Sequence, residues 1–219
     1  MKTIIIDYGS GNLRSVHRTF ERAAKDHKIN SQIVTSDKPE DIAAADHIVL
    51  PGVGAFKDCY DGLSARAGVM DALYEAVQVQ KKPFLGICVG MQLMATEGIE
   101  YKGSQGLDWI KGQVRIITPN AEQDLGLKVP HMGWNLLSEN IKGRSHKILD
   151  GIEMGLHAYF VHSYQFHTDD ENETILTTQY GEKITAMVAK DNLVGTQFHP
   201  EKSQKLGLDF IANFLNWKP

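Results

Sequence analysis

Lys82-Pro83-Phe84-Leu85-Gly86-Ile87-Cys88-Val89-Gly90-Met91-Gln92 reads as a buried strand, Phe84 to Ile87, that ends in Gly-x-Cys-x-Gly and leads into a helix-like run. A strand-to-helix turn this tight places Cys88 in a strained backbone conformation. Gly86 and Gly90, two positions either side, keep the neighbouring chain clear. The thiol then sits at a helix N-terminus, where the thiolate is favoured over the free thiol. Taken alone, the pattern fits equally a small buried cysteine at a strand end. Cys59, in Lys57-Asp58-Cys59-Tyr60, lacks any glycine frame and has only a structural reading.

Upstream of the elbow, short β-branched runs alternate with amphipathic stretches: Thr3 to Ile6, Leu13 to Ala24, Gln32 to Thr35, His47 to Leu50. That alternation predicts a parallel α/β sheet with helices on its faces. A helix is expected from Val69 to Gln80, carrying Met70, Leu73, Tyr74 and Val77 at helical spacing and stopped by Lys82-Pro83. Downstream, strands are expected at Gln113 to Ile117, Leu156 to Val161, Thr174 to Thr178, Ile184 to Ala189 and Val194 to Phe198, separated by turn-rich segments. These predict antiparallel or mixed pairing. A stripe of Leu208, Ile211, Phe214 and Leu215 predicts a C-terminal helix packed on the sheet. The fold class is therefore α/β: a central, mostly parallel sheet flanked by helices, with additional antiparallel strands in the second half. Without repeats or a Pro/Ser-rich linker, residues 1–219 read as one domain.

Composition narrows the function. The chain has 219 residues, 42% of them hydrophobic, enough for a substantial core. With 23 basic and 27 acidic residues and a net charge of -4, it has no global basic field for nucleic acid or anionic lipid. Two cysteines cannot build a disulfide framework and suggest a reducing, cytoplasmic setting. The apolar run at the N-terminus is too short for a signal core or a membrane span.

A cysteine nucleophile needs a base near its sulfur and a group that orients the base. Gly195-Thr196-Gln197-Phe198-His199-Pro200-Glu201 offers both at the end of an apolar strand. In an extended segment residues two apart share a side, so His199 and Glu201 can act together. Of the other histidines, His17, His27, His47, His146 and His167 lie in polar surroundings and read as solvated. His131, His157 and His162 lack a carboxylate two residues away. No Cys-x-x-Cys or His-x-x-x-His spacing supports a metal site. Gly9-Ser10-Gly11 would need glycine where Arg14 stands to bind a dinucleotide.

With Gly-Ile-Cys-Val-Gly-Met-Gln and His-Pro-Glu both in hand, the chain resembles the class I (triad) glutamine amidotransferases. Within them it is most similar to the glutaminase subunits that serve imidazole glycerol phosphate synthesis. Asp7-Tyr8-Gly9-Ser10-Gly11-Asn12-Leu13, Leu50-Pro51-Gly52-Val53-Gly54-Ala55-Phe56, Pro130-His131-Met132-Gly133-Trp134-Asn135, Tyr159-Phe160-Val161-His162-Ser163-Tyr164 and Gln197 to Ser203 carry the likeness, together with the elbow. The resemblance implies glutamine hydrolysis by a Cys88-His199-Glu201 triad, with no cofactor. It implies oxyanion donors from the backbone of Val89 and of Val53 or Gly54, the latter after a peptide reorientation. Gln92, Ser163 and Tyr164 are implied to hold the amino-acid end of the substrate, assisted by the main chain of Gly52 and Gly54. The implied partner is a (β/α)8-barrel cyclase, joined in a heterodimer with the Asn12 loop near the contact. Tyr8, Asn12, Met132, Trp134 and Lys202 are the interface candidates, since aromatic and Met side chains suit interface cores, and each reads equally as core or solvated surface. Val89 stands where the family usually has leucine. The segments 100–105 and 120–127 match no family motif and read as loops.

Overall fold

The computed structural model describes residues 1–100, 103–119, 126–139, 145–153 and 155–219. Ile4, Ile5 and Ile6 are wholly buried, because β1 (Lys2–Ile6) runs inside a sheet and is covered on both faces. It is followed by α1 (Leu13–Asp26), β2 (Gln32–Ser36), α2 (Pro39–Ala43) and β3 (His47–Gly52). Next come α3 (Phe56–Ser64), α4 (Val69–Tyr74), β4 (Phe84–Cys88) and the single turn α5 (Val89–Gln92). The expected helix from Val69 to Gln80 is present, but its second half, Glu75–Val79, widens into a π-helical turn closed by the Gln80 N–H on the Glu75 carbonyl.

The second half begins with β5 (Glu97–Gly98), β6 (Ser104–Gln105) and β7 (Gly112–Ile116). It continues through β8 (His131–Leu136), β9 (Ser138–Glu139), β10 (His157–His162) and β11 (Tyr164–Thr168). It closes with β12 (Thr174–Tyr180), β13 (Glu182–Lys190), β14 (Leu193–Thr196) and α6 (Gln204–Asn216). The main sheet has the order β2-β1-β3-β4-β14-β13-β12-β9. The pairs from β2 to β14 are parallel and those from β14 to β9 antiparallel. β8 and β10 form an antiparallel ribbon, and β11, β7, β5 and β6 a small sheet of their own. α1 packs on α6, with Phe20 set edge-on to Phe214 at 6.3 Å.

Four expectations are corrected. Segment 100–105 is not all loop, since Ser104–Gln105 pairs with Glu97–Gly98; residues 101–102, like 120–125 of the other unassigned segment, lie outside the described residues. The last strand ends at Thr196 instead of reaching Phe198. His47 is not a solvated residue: it is buried at the start of β3, with Nε2 3.1 Å from the Trp217 carbonyl and its ring edge-on to Phe214. His146 is likewise half-buried, with its ring tilted against Trp217.

What places a site in this sheet is the alignment of β3, β4 and β14. Gly52 pairs with Cys88, and Ile87 with Thr196, so the three carboxyl ends finish side by side. Ligands in open α/β sheets bind at such ends. Glycine lets the layers close up behind them. A Cβ at Gly90 would lie 1.8 Å from the Leu50 carbonyl oxygen, and one at Gly86 2.5 Å from that of Gly90. α5 therefore rests directly on the backbone of β3 and β4.

Candidate active site

Cys88 ends β4 with φ 55° and ψ −110°, a conformation that side chains avoid and that costs on the order of 1–3 kcal/mol. The turn aims the side chain out of the sheet, and the chain then enters α5 at Val89. A cavity of about 330 Å³ opens there, lined by Val53, Gly54, Cys88, Val89, Gln92, Glu100, Val161, His162, Ser163, Tyr164 and His199, among others. Loops after β3, β4, β10 and β14 all contribute to it.

His199 and Glu201 meet as expected, though not through an extended segment. Pro200–Lys202 is a 3-10 turn, and it brings His199 Nδ1 within 2.8 Å of Glu201 Oε1, both side chains almost fully buried. Ser203 fixes that turn. Its hydroxyl donates to the His199 carbonyl at 2.7 Å and accepts from the Tyr159 N–H at 3.1 Å, and the His199 N–H donates to the Tyr159 carbonyl. With Nδ1–H committed to Glu201, His199 presents Nε2 to the cavity. Nε2 is buried and makes no hydrogen bond of ordinary geometry among the described residues. Burial is the largest single influence on this imidazole and pushes its pKa down. The Cys88 and Glu201 groups flanking the ring together outweigh burial and raise it to about 10. An imidazolium between a thiol and a carboxylate is the arrangement that supports a thiolate nucleophile.

The loop after β3 is pinned from behind. Val53 N–H donates to Ser10 Oγ at 3.3 Å, and its carbonyl accepts from Ser10 Oγ at 2.6 Å and from Cys59 Sγ at 3.4 Å. Cys59 thus supports the loop, as its structural reading expected. Tyr8 donates its hydroxyl to the Pro51 carbonyl at 2.8 Å and is 3% exposed, so it braces the same loop and leaves almost no surface of its own for a partner. Gly52 stands outside the cavity lining. A Cβ there would meet the Gly90 nitrogen at 2.7 Å and the Tyr8 hydroxyl at 2.8 Å, so its role is close packing.

The profile of the glutamine amidotransferase class-I family matches residues 4–217. The chain belongs to the class-I glutamine amidotransferases. This amidotransferase is 53% identical, over the full length of both chains, to a protein of Agrobacterium fabrum named imidazole glycerol phosphate synthase subunit HisH. It is 52% identical, again over the full length of both, to the protein of that name in Rhodospirillum rubrum. Among solved structures, one titled as a glutamine amidotransferase superposes with a TM-score of 0.68 at 18% identity, covering 98% of this chain and 99% of the other. A glutamine amidotransferase from Thermotoga maritima gives 0.59 at 17%, covering 92% and 76%. Those two likenesses establish the fold.

Gln92 of this amidotransferase is buried, not an ordinary exposed helix residue, and it lines the cavity with Ser163 and Tyr164. Met132, Trp134 and Lys202 are exposed, as is Asn12. Sequence reasoning passed over Ser10, Gln197 and Ser203, although Gln197 and Ser203 flank the His-Pro-Glu signal. It also passed over a pair of buried histidines. His162 Nδ1 lies 2.8 Å from the Tyr164 carbonyl, which can only accept, so Nδ1 carries the proton. Neutral His162 then accepts at Nε2 from His131 Nδ1 at 2.9 Å, with His131 stacked between Phe160 and Tyr180. Burial depresses His131 to about 4 and His162 to about 3.

A histidine whose folded pKa lies below its unfolded value takes up a proton on unfolding, so stability is lost as pH falls from about 6.5 toward those values. Thermal unfolding followed against pH is expected to show this loss between about pH 6.5 and 4. A His131→Asn variant should lose about one proton's worth of the slope, about 1.4 kcal/mol per pH unit. An unchanged slope would show that the pair is not held neutral.

Proposed function

We propose that this chain is the glutaminase subunit of an imidazole glycerol phosphate synthase of histidine biosynthesis. The full-length identity of just over half to subunits of that name carries the reading, and the juxtaposition of Cys88, His199 and Glu201 around one cavity supports it. The Cys88 thiolate attacks the side-chain amide carbon of glutamine, forming a C–S bond and a tetrahedral oxyanion. The N–H of Val89 stabilises that oxyanion together with the N–H of Val53 or Gly54. Val53 N–H is engaged by Ser10, so its use requires the loop to turn. Each such donor typically lowers the barrier by about 3–4 kcal/mol. His199 protonates the departing ammonia, and water then cleaves the γ-glutamyl thioester to give glutamate and restore the thiolate. Gln92, Ser163 and Tyr164 hold the amino-acid end of the substrate, and no cofactor takes part.

Ammonia set free in water is protonated and diluted, so the subunit works docked to a synthase, a (β/α)8-barrel cyclase in the cytoplasm. Met132, Trp134 and Leu136 alternate outward along β8, at 65%, 46% and 46% exposure. They give an apolar strip of the kind that cores an interface. Asn12 and Lys202 complete the contact, and Lys202 Nζ lies 5.3 Å from the centre of the Tyr159 ring. Co-expression with a barrel cyclase should yield a one-to-one complex. Its glutaminase activity should rise at least about tenfold when the nucleotide substrate of the cyclase is added. Strong activity of the isolated chain, unchanged by the cyclase, would instead mark a free hydrolase.

A further inference from the structure

Gln197 stands outside the triad, yet it is wholly buried and within reach of the nucleophile. Its orientation follows step by step from groups that cannot be turned around. The Tyr164 carbonyl only accepts hydrogen bonds, so the Gln92 side chain, 3.0 Å away, must face it with nitrogen. The same nitrogen lies 2.9 Å from the Gln197 side chain, which must therefore meet it with oxygen. With its oxygen so committed, Gln197 turns its NH2 group to the Cys88 sulfur, 3.6 Å away. The anchor of this chain is itself fixed, because the Tyr164 carbonyl also accepts from His162 Nδ1, and His162 is held in turn by His131.

We infer that Gln197 is a further catalytic residue of the glutaminase reaction, donating a side-chain N–H to the Cys88 sulfur and tying the nucleophile to the Gln92 that holds the substrate. The inference rests on the function proposed above. A donor on sulfur favours the thiolate before attack, and it favours sulfur as the leaving group when water cleaves the thioester. It also makes the sulfur answer to the substrate end of the cavity, since one amide nitrogen of Gln92 serves both Tyr164 and Gln197. Among the described residues, His199, Tyr8 and Cys59 interact electrostatically with Cys88, and His162, Tyr164 and Glu100 line the same cavity. None of them can replace an amide donor that is neutral at every pH.

The test is the pH dependence of alkylation of the full chain by iodoacetamide, with the labelled peptide identified by mass spectrometry. The pH of half-maximal Cys88 labelling is expected to rise by about one unit, a tenfold change, in Gln197→Met, which keeps the bulk and removes the donor. Gln197→Leu likewise removes the donor and should shift as far; it decides the matter if the methionine variant does not fold. A purely structural role would lower the melting temperature without moving the profile, so superimposable profiles in a folded variant overturn the inference. Labelling of Cys59 and not Cys88 in the unaltered chain would instead overturn the nucleophile itself.

Discussion

Replacing Cys88 with alanine is expected to lower glutamine hydrolysis by at least about 10⁴-fold, because loss of a triad nucleophile removes covalent catalysis and leaves only binding and the oxyanion donors. In a complex with the cyclase, synthesis fed with ammonium salts should continue at its usual rate, which separates loss of the nucleophile from loss of the partner. Stability gives an independent reading. Cys88 holds a positive φ of 55°, and alanine keeps the Cβ that makes this costly, whereas glycine does not. Cys88→Gly should therefore melt higher than Cys88→Ala, by an amount on the order of 1–3 kcal/mol. An ordinary buried strand residue gives the opposite order, since glycine there is less stable than alanine by roughly 0.5–1 kcal/mol. Residual hydrolysis close to that of the unaltered protein would remove Cys88 from the mechanism.

The parts of this site visible in the sequence are those whose signal is local. The Gly-x-Cys-x-Gly elbow announces itself because its strain has to be relieved within five residues, by Gly86 and Gly90. The carboxyl-end location of the site follows from reading β1, β3 and β4 as parallel strands. What escaped notice depends on contacts between distant segments. Gln197 is oriented by Gln92, 105 positions away, and His47 is buried by Trp217, 170 positions away. No periodicity within either segment reports such a neighbour. The expectation that His199 and Glu201 meet across an extended segment had the right partners and the wrong backbone, because the strand stops at Thr196 and Ser203 ties the chain into a turn. The placement of Tyr8 was open for a similar reason. An aromatic residue beside a glycine loop suits an interface as well as it suits a brace, and only the bond of its hydroxyl to the Pro51 carbonyl separates the two.

Glu201→Gln is the second change expected to have a very large effect, and it isolates the role of the orienting carboxylate. The replacement keeps the size of the side chain but lets it present N–H to His199 Nδ1, which favours the tautomer with the proton on the wrong nitrogen. Such an exchange in a triad lowers kcat by about 10⁴ with the geometry intact. The same variant should alter the alkaline limb of the stability curve. The His199 pKa is raised from 6.5 to about 10 by Cys88 and Glu201 acting against burial. Its contribution to stability is therefore fully present below about pH 6.5 and is lost as pH rises through 10. Without the carboxylate the imidazolium loses one of its two supports, so thermal unfolding between pH 7 and 10 should fall less steeply in Glu201→Gln than in the unaltered chain. Glu201 Oε2 has no hydrogen-bond partner among the described residues, so the carboxylate's hold on the ring runs through Oε1. A glutamine variant with unaltered kcat and an unaltered alkaline slope would show that His199 is oriented by its backbone alone, through the Tyr159 carbonyl and the Ser203 hydroxyl.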